Sequence, residues 1–300
     1  MTKRDFLSLA DFAKAELDTM IDMADKLKQN PLQDVSMGKQ LAMIFEKSST
    51  RTRVSFEAGI NQLGGQAIVL NADDMQLGRG ESIEDTAKVL SRFVDIVMIR
   101  ANKHDDVVAF AKNATVPVIN GLTDYNHPCQ VLTDIFTFIE HKGDIEGKVI
   151  CWVGDGNNMC NSWLHAALKF KFKLHLALKE GYYPDQALID EGKAQGFVEV
   201  FDNACDAAKD ADLVTTDTWV SMGDKDAAKR LKDFAYLKVT EKVMSKAKND
   251  AIFMHCLPAH RGEEVEASVI DGDKSVVFDE AENRLHIQKA IMVFLLATNN

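Results

Sequence analysis

The sequence lacks several features that would each assign it to a particular class of protein. It has five cysteines, an odd number, and none forms a C-x-x-C pair, so a disulfide scaffold is excluded and a reduced, cytosolic protein is favoured. No apolar run is longer than a strand, which argues against a membrane span. The N-terminal segment shows an amphipathic helical pattern that contains acids, unlike a signal peptide. We therefore expect a cytoplasmic globular protein.

Basic residues are also scarce. The chain carries 35 Lys and Arg against 46 Asp and Glu, a net charge of −11. This balance excludes non-specific nucleic-acid binding and argues against an anionic membrane surface as a partner. Only nine of the basic residues are arginines, so arginines that cluster are informative.

Short apolar runs alternate with helical patterns along all 300 residues, which predicts mostly parallel sheets with helices on both faces. Helices are predicted near 6–29, 51–64, 82–92, 105–113, 128–141 and 280–297. Strands are predicted at 41–45, 67–70, 94–99, 115–119, 149–153, 174–178, 198–201, 213–216, 251–255 and 276–278. A polar, glycine-containing stretch at 143–148 predicts a domain boundary near residue 142. We expect an α/β fold of two doubly wound parallel-sheet domains.

In such sheets the ligand lies at the carboxyl ends of the strands. After the first strand come Ser49, Thr50, Arg51, Thr52 and Arg53, at a turn that opens a helix. A helix N-terminus offers free N–H groups, and hydroxyl and guanidinium groups add donors for phosphate oxygens. A helix cap needs only one hydroxyl, so this run predicts a phosphate site.

Two further strand ends carry polar groups. Arg100 ends the third strand, a position that taken alone is more typical of a surface arginine. His127 and Gln130 lie three residues apart around the start of a helix and share a face. Histidine can polarise a carbonyl, and an amide can both donate to and accept from a carbamoyl group. A capping histidine remains an equal alternative from this motif alone.

The turn that begins at Gly154 resembles the first turn of a dinucleotide fold, but Met159 stands where the third glycine should be. No acidic residue for a ribose follows the next strand, so dinucleotide binding is disfavoured. Asn157 and Asn158 are suited to a carboxylate or ammonium group of a small polar ligand.

Two later strands are followed by candidate ligand groups. Asp217 and the turn formed by Ser221, Met222 and Gly223 could bind an amino group, or could be a plain turn. His255-Cys256-Leu257-Pro258 suggests a thiol nucleophile, although no Asn or Asp partner is visible. No metal-ligand spacing is present, so no metal is predicted.

Taken together, these motifs resemble the aspartate/ornithine carbamoyltransferase family. Ser49-Thr50-Arg51-Thr52, Arg100, His127-Pro128-Cys129-Gln130 and the HCLP box are similar to the family in residue type and order. Asp217, the Ser-Met-Gly turn and HCLP resemble its ornithine branch.

The resemblance implies a site in a cleft between a carbamoyl phosphate domain (1–142, with 284–300 packing back on it) and an ornithine domain (143–283). The implied carbamoyl phosphate residues are Ser49, Thr50, Arg51, Thr52, Gln76, Arg100, His127, Gln130, Cys256, Leu257 and Arg284. The implied ornithine residues are Asn158, Asp217, Ser221 and Met222. The implied catalytic residues are Cys256, Arg51, Arg100 and His127. Gln76 would reach a neighbouring subunit's site.

The implied reaction is transfer of the carbamoyl group of carbamoyl phosphate to ornithine, in arginine metabolism. The resemblance also implies a homotrimer, a cis peptide before Pro258, and no cofactor or metal. Three alternatives stay open: a sister enzyme that uses putrescine, aspartate or an acetylated amine; a nucleotide-dependent oxidoreductase or nucleotide sensor; and a non-catalytic homologue.

Overall fold

The computed structural model describes residues 3–76, 80–220 and 226–298. The chain divides into two compact units, each built on a parallel sheet. Unit 1 comprises Met1–Thr133 and Glu282–Asn300, and unit 2 comprises Asp134–Ala281. The expected α/β class with two parallel-sheet domains is therefore confirmed, whereas the domain bounds given above stay predictions.

Unit 1 contains a four-stranded sheet in the order β2-β1-β3-β4. Its elements are α1 (Lys14–Gln29), β1 (Gln40–Phe45), α2 (Thr50–Gln62), β2 (Gln66–Asn71), α3 (Ile83–Leu90), β3 (Ile96–Arg100), α4 (His104–Asn113), β4 (Val118–Leu122) and the first part of α5 (Pro128–Lys142). Single 3-10 turns lie at Leu9–Asp11 and Ala72–Asp74. The central strand β1 is apolar and almost wholly buried, as a strand covered on both faces requires.

Unit 2 contains a five-stranded sheet in the order β7-β6-β5-β8-β9. Its elements are β5 (Val149–Gly154), α6 (Asn158–Phe170), β6 (Lys173–Leu178), α7 (Gln186–Ala194), β7 (Val198–Phe201), α8 (Ala204–Ala207), β8 (Leu213–Thr216), α9 (Ala227–Phe234), a 3-10 turn (Ala235–Leu237), α10 (Glu241–Met244), β9 (Ile252–His255) and α11 (Ala267–Ile270). The last helix, α12 (Val277–Thr298), starts in unit 2 and ends in unit 1.

Three sequence predictions are wrong in detail. The strand predicted at 115–119 is β4, which begins only at Val118 and ends at Leu122. The helix predicted at 6–29 begins only at Lys14, because Phe6 is bound to the sheet beside Ile119 and Ser8 caps a separate 3-10 turn. The strand predicted at 276–278 is the start of α12. Phe278 is 72% exposed, and the acids that follow it favour a helix N-terminus.

Within the described parts of the chain, every helix is too short or too polar to cross a bilayer.

A buried lysine joins three elements of unit 1. Lys289 of α12 is fully buried, and its Nζ donates to the carbonyl oxygens of Leu27 (3.1 Å) and Pro31 (3.2 Å) and to Oε1 of Gln62 (2.9 Å). All three acceptors are neutral. Burial therefore lowers the pKa of Lys289 from 10.5 to about 8.

This lowered pKa predicts a pH-dependent stability. Between pH 8 and 10.5 the unfolded chain keeps a proton that the folded chain has lost, so the free energy of unfolding rises with pH in that window. Relative to Lys289→Met, we expect wild type to gain about 1–3 kcal/mol from pH 7 to 10.5. Urea unfolding of both proteins at several pH values measures this gain. Lys26→Met, which removes an exposed lysine, is the matched control, and parallel curves for wild type and Lys289→Met would contradict the prediction.

Candidate active site

The N-terminus of α2 is the first component of the site. Ser49 is the N-cap residue, and its Oγ accepts the N–H of Thr52 at 3.2 Å. One hydroxyl of the run therefore acts as an ordinary cap, while Thr50 and Arg51 occupy the first turn. Arg53 is half-exposed, and its Nε lies 3.6 Å from Oε2 of Glu57 on the same helix. The helix N-terminus and Arg51 give this end of unit 1 a positive local potential.

Thr52 is the point where distant parts of unit 1 meet. Its Oγ1 accepts from Nη2 of Arg284 at 2.9 Å and from Nη1 of Arg100 at 3.5 Å. Arg284 also donates to Oε1 of Gln130. The structure thus brings together four predicted residues, from α2, β3, α5 and α12. Arg100 pairs in register with Phe45, which is why the ends of β3 and β1 lie side by side.

His127 lies directly before α5 and is buried. Burial, together with the guanidinium groups of Arg284 and Arg100, holds the pKa of His127 well below its ordinary value. The imidazole is therefore neutral at pH 7, and it can donate one hydrogen bond to a carbonyl oxygen without carrying charge.

Gln76 is not brought into this group. It is exposed and follows the 3-10 turn that ends at Asp74. Its carbonyl oxygen accepts the N–H of Glu81 at 3.4 Å. Its predicted role in a neighbouring subunit's site stays a prediction.

Asp217 and Cys256 form the centre of a second group, in unit 2. Thr216 and His255 pair in register at the ends of β8 and β9, so the two residues that follow them are neighbours. Sγ of Cys256 donates to Oδ1 of Asp217 at 3.3 Å, and the N–H of Thr218 donates to the same oxygen at 2.8 Å. The sequence did not reveal this thiol–carboxylate contact, because the residues are 39 positions apart.

Asn157, which the sequence suggested as a group for a small polar ligand, makes hydrogen bonds within the protein. Its Nδ2 donates to Oδ2 of Asp217 at 2.9 Å, while its Oδ1 caps α6 by accepting the N–H groups of Met159 and Cys160. Asn157 therefore orients the carboxylate of Asp217, a role that the sequence did not predict. Asn158 is the first residue of α6 and is half-buried. Ser221 and Met222 lie outside the described residues.

Cys256 is surrounded by negative charge. Burial raises the pKa of its thiol well above the ordinary value, and the carboxylates of Asp217, Glu280 and Asp134 raise it further. The thiol is therefore protonated at neutral pH. A nucleophilic cysteine needs the opposite environment, with a lowered pKa, so the geometry disfavours the thiol-nucleophile hypothesis.

The turn after Cys256 has an unusual backbone. Leu257 has φ of 56°, in the left-handed region, and the peptide between Leu257 and Pro258 is cis, as expected. The side chain of Leu257 is half-buried against the core of unit 2. Cys256 and Leu257 directly follow His255, the last residue of β9.

Two groups of side chains in the described residues could hold a metal ion, since their ligand atoms lie within 4.8 Å of one another: Asp217 with His255 and Cys256, and His260 with Glu263 and Glu264. The absence of a metal and of a cofactor stays a prediction.

The turn at Gly154 has a packing explanation. Arg230 of α9 pairs with the carboxylate of Asp155, and its Nε donates to the carbonyl oxygen of Trp219 at 2.6 Å. A Cβ on Gly156 would collide with the backbone of Tyr182 and Pro184. The glycine is therefore explained by a close approach within the protein and does not require a phosphate.

Two parts of the chain match two domains of one known family. The carbamoyl-P binding domain of the aspartate/ornithine carbamoyltransferases matches residues 4–140, and their Asp/Orn binding domain matches residues 146–295. An ornithine carbamoyltransferase of Acinetobacter baumannii is 55% identical over 305 residues, covering 100% of this chain and 99% of the relative. One from Nitrosomonas europaea is 53% identical over 307 residues and covers 99% and 98% of the two chains.

Solved structures give the same result. The crystal structure of ornithine carbamoyltransferase from Burkholderia thailandensis superposes with a TM-score of 0.91 at 51% identity, covering 99% of this chain and 100% of that one. The enzyme from Pyrococcus furiosus superposes with a TM-score of 0.94 at 47% identity, covering 99% and 98%. The chain belongs to the aspartate/ornithine carbamoyltransferase family.

Proposed function

We propose that this chain transfers the carbamoyl group of carbamoyl phosphate to the side-chain amine of L-ornithine, giving L-citrulline and phosphate. The observation that carries the proposal is the opposite charge of the two groups of residues. In unit 1, Arg100 and Arg284 meet at Thr52 and suit a phosphate dianion. In unit 2, several carboxylates surround Cys256 and suit a substrate with two ammonium groups. The matches of residues 4–140 to the family's carbamoyl-P binding domain and of residues 146–295 to its Asp/Orn binding domain support the same assignment.

In this proposal, unit 1 binds the donor substrate. Ser49, Thr50, Arg51 and Thr52 bind the phosphate, and Arg284 fixes Thr52 and Gln130 in place. The neutral His127 and the guanidinium of Arg100 face the carbamoyl oxygen, where negative charge develops as the amine attacks. Donors held in place before the reaction stabilise that charge without reorganisation. The amide of Gln130 recognises the carbamoyl nitrogen.

Unit 2 binds the acceptor substrate. Asn158, Asp217, Ser221 and Met222 bind ornithine, and Cys256 and Leu257 lie where its side-chain amine meets the carbamoyl carbon. This amine has an ordinary pKa of about 10.4 and must lose a proton before it attacks. Asp217, held by Asn157 and Thr218, orients the amine and assists the loss of that proton.

Cys256 acts in this reaction as a polar neighbour and not as a nucleophile. Because its thiol is protonated, we expect no carbamoyl-thioester when wild type is incubated with carbamoyl phosphate alone. Intact-protein mass spectrometry after an acid quench tests this, with Cys256→Ser as the control for adducts elsewhere. Cys256→Ser should keep measurable turnover, lowered about 10- to 100-fold because one positioned group is altered. A wild-type mass increase of one carbamoyl group that is absent in the variant would overturn this role.

The proposed reaction is tested by steady-state formation of citrulline, with carbamoyl phosphate and ornithine varied independently. Putrescine, aspartate and an N-acetylated amine are tested in parallel, with the phosphate that each carbamoylation releases as the readout. We expect ornithine to be preferred, because Asn158, Ser221 and Met222 are proposed to bind the α-amino acid head that putrescine lacks. A thermal shift with carbamoyl phosphate but none with NAD would exclude the oxidoreductase alternative, and absence of citrulline would refute the proposal.

We also propose the assembly and setting that the resemblance implies, namely a cytoplasmic homotrimer that serves arginine biosynthesis. The exposed position of Gln76 is compatible with its proposed contribution to a neighbouring subunit's site. Sedimentation equilibrium tests the assembly, and growth of an arginine auxotroph that expresses this chain tests the biosynthetic role.

A further inference from the structure

Glu264 carries a buried carboxylate that belongs to none of the motifs predicted from the sequence. It contacts both sides of the turn that contains Cys256, Leu257 and Pro258. Glu264 is fully buried, and its Oε1 accepts two hydrogen bonds. One comes from Nε2 of His255 (3.2 Å), at the end of β9, and the other from the backbone N–H of His260 (2.5 Å), beyond the turn. Glu264 therefore joins the two ends of the segment that contains Cys256 and Leu257.

The hydrogen bonds of His255 define its tautomer. Its Nδ1 accepts the backbone N–H of Leu257 at 3.0 Å, so the ring proton is on Nε2 and is donated to Glu264. The backbone N–H of His255 donates to Oε2 of Glu280 at 2.9 Å. Both ring nitrogens of this fully buried histidine are thus engaged, and two carboxylates hold it from different sides.

This chain of contacts ends at a strained residue. Leu257 is in the left-handed region that non-glycine residues rarely adopt, and such conformations persist only where the surroundings impose them. The hydrogen bond from its N–H to His255 is one such constraint. Because Leu257 follows Cys256 directly, loosening this bond would move the groups proposed to face the amine.

The same contacts argue against a proton relay from Cys256 through His255 to Glu264. Sγ of Cys256 donates to Asp217, and the lone pair of Nδ1 of His255 is occupied by the N–H of Leu257. Burial alone would raise the pKa of Glu264, but the hydrogen bonds from His255 and His260 lower it overall, so the carboxylate is ionised and accepts both bonds.

We propose that Glu264 is a positioning residue for the carbamoyl transfer, acting through His255 to hold Leu257 and the turn beside Cys256. The inference rests on the proposed function for its kinetic consequence, while the structural effect on the turn can be measured without it. Glutamine keeps the oxygen that accepts both hydrogen bonds, and alanine removes it. Glu263, half-exposed and next in sequence, provides a matched control.

Hydrogen–deuterium exchange tests the structural half. In full-length Glu264→Ala, we expect exchange in the peptide that covers 255–260 to become at least tenfold faster than in wild type. Glu264→Gln and Glu263→Ala should stay within threefold. Equal exchange in wild type and Glu264→Ala would overturn the proposal even if the proteins form no citrulline, so this outcome is distinct from failure of the proposed function.

Citrulline kinetics test the functional half. We expect Glu264→Ala to lower kcat about 10- to 100-fold, as displacement of reacting groups does, with the KM for carbamoyl phosphate within threefold. Glu264→Gln should restore most of kcat with an unchanged pH profile. A Glu264→Gln variant as impaired as Glu264→Ala, with a shifted pH profile, would show that charge or proton transfer is what matters and would overturn positioning.

A second pair of variants keeps the proposal falsifiable if Glu264→Ala does not fold. Asparagine at 255 can place an oxygen near the position of Nδ1 and keep the bond from Leu257, whereas glutamine reaches instead toward Glu264. We expect His255→Asn to retain a higher kcat and slower exchange of the turn than His255→Gln. The reverse order would overturn the role assigned to the bond with Leu257.

Discussion

Arg51→Ala should weaken the binding of carbamoyl phosphate about 100-fold, measured by isothermal titration calorimetry at low ionic strength. Arg51 lies in the first turn of α2, where free N–H groups and the helix dipole already favour an anion. Its guanidinium adds charge-assisted hydrogen bonds to phosphate oxygens, and their loss corresponds to about 2.7 kcal/mol. The variant should fold normally, because the side chain is only half-buried.

Arg53→Ala is the matched control for this prediction. It removes the same charge two residues further along α2, but Arg53 lies near Glu57 and is half-exposed. We expect its affinity for carbamoyl phosphate to stay within threefold of wild type, because an exposed ion pair contributes little. Equal affinity of wild type and Arg51→Ala would refute the phosphate site at α2. If both variants bound carbamoyl phosphate equally weakly, the loss of affinity would come from the change in overall charge and not from a phosphate site at Arg51.

The parts of this protein that could be predicted from sequence are those set by local pattern. Alternation of apolar runs and helical segments predicted both parallel sheets, because a buried central strand such as β1 must be apolar on both faces. The rule that ligands lie at the carboxyl ends of parallel strands then singled out Thr52, Arg100, Asp217 and Cys256. The structure places these residues in one group within each unit.

What could not be predicted depends on partners distant in sequence. The hydrogen bond between Arg284 and Thr52 joins residues 232 positions apart, and no local pattern encodes it. Glu264 looks like one of many acids in a charged segment, and only its complete burial shows that it is structural. The strand predicted at 276–278 is wrong because three apolar residues suit a short strand or a helix start equally. The exposed position of Phe278, which the sequence does not show, is consistent with the helix start that the structure has.

The contrast between the two groups explains how an acidic protein can bind a phosphate. In unit 1, burial and then the guanidinium groups of Arg284 and Arg100 lower the pKa of His127, which keeps this histidine neutral beside two cations. In unit 2, burial raises the pKa of Cys256, and the surrounding carboxylates raise it further. Each group thus suits the charge of its proposed substrate, and the net charge of −11 describes neither one.

Asp217→Asn should lower kcat/KM for ornithine by about 100- to 1,000-fold and leave the affinity for carbamoyl phosphate within threefold of wild type. The carboxylate accepts from Asn157, Thr218 and Cys256. An amide of the same shape places an NH₂ group against at least one of these donors, and it also removes the negative charge that faces the substrate amine. Loss of one charge-assisted hydrogen bond and one unsatisfied donor together account for about 3–4 kcal/mol.

The thiol of Cys256 gives this prediction a readout that does not depend on turnover. Because the carboxylate of Asp217 is one of the groups that raise the pKa of Cys256, Asp217→Asn should lower that pKa and speed alkylation of the thiol by iodoacetamide at pH 8 to 9. Asp190→Asn, which alters an exposed carboxylate of the same unit, should change neither kinetics nor alkylation. If Asp217→Asn kept wild-type kcat/KM for ornithine while alkylation was faster, the contact with Cys256 would stand but Asp217 would not bind the acceptor amine.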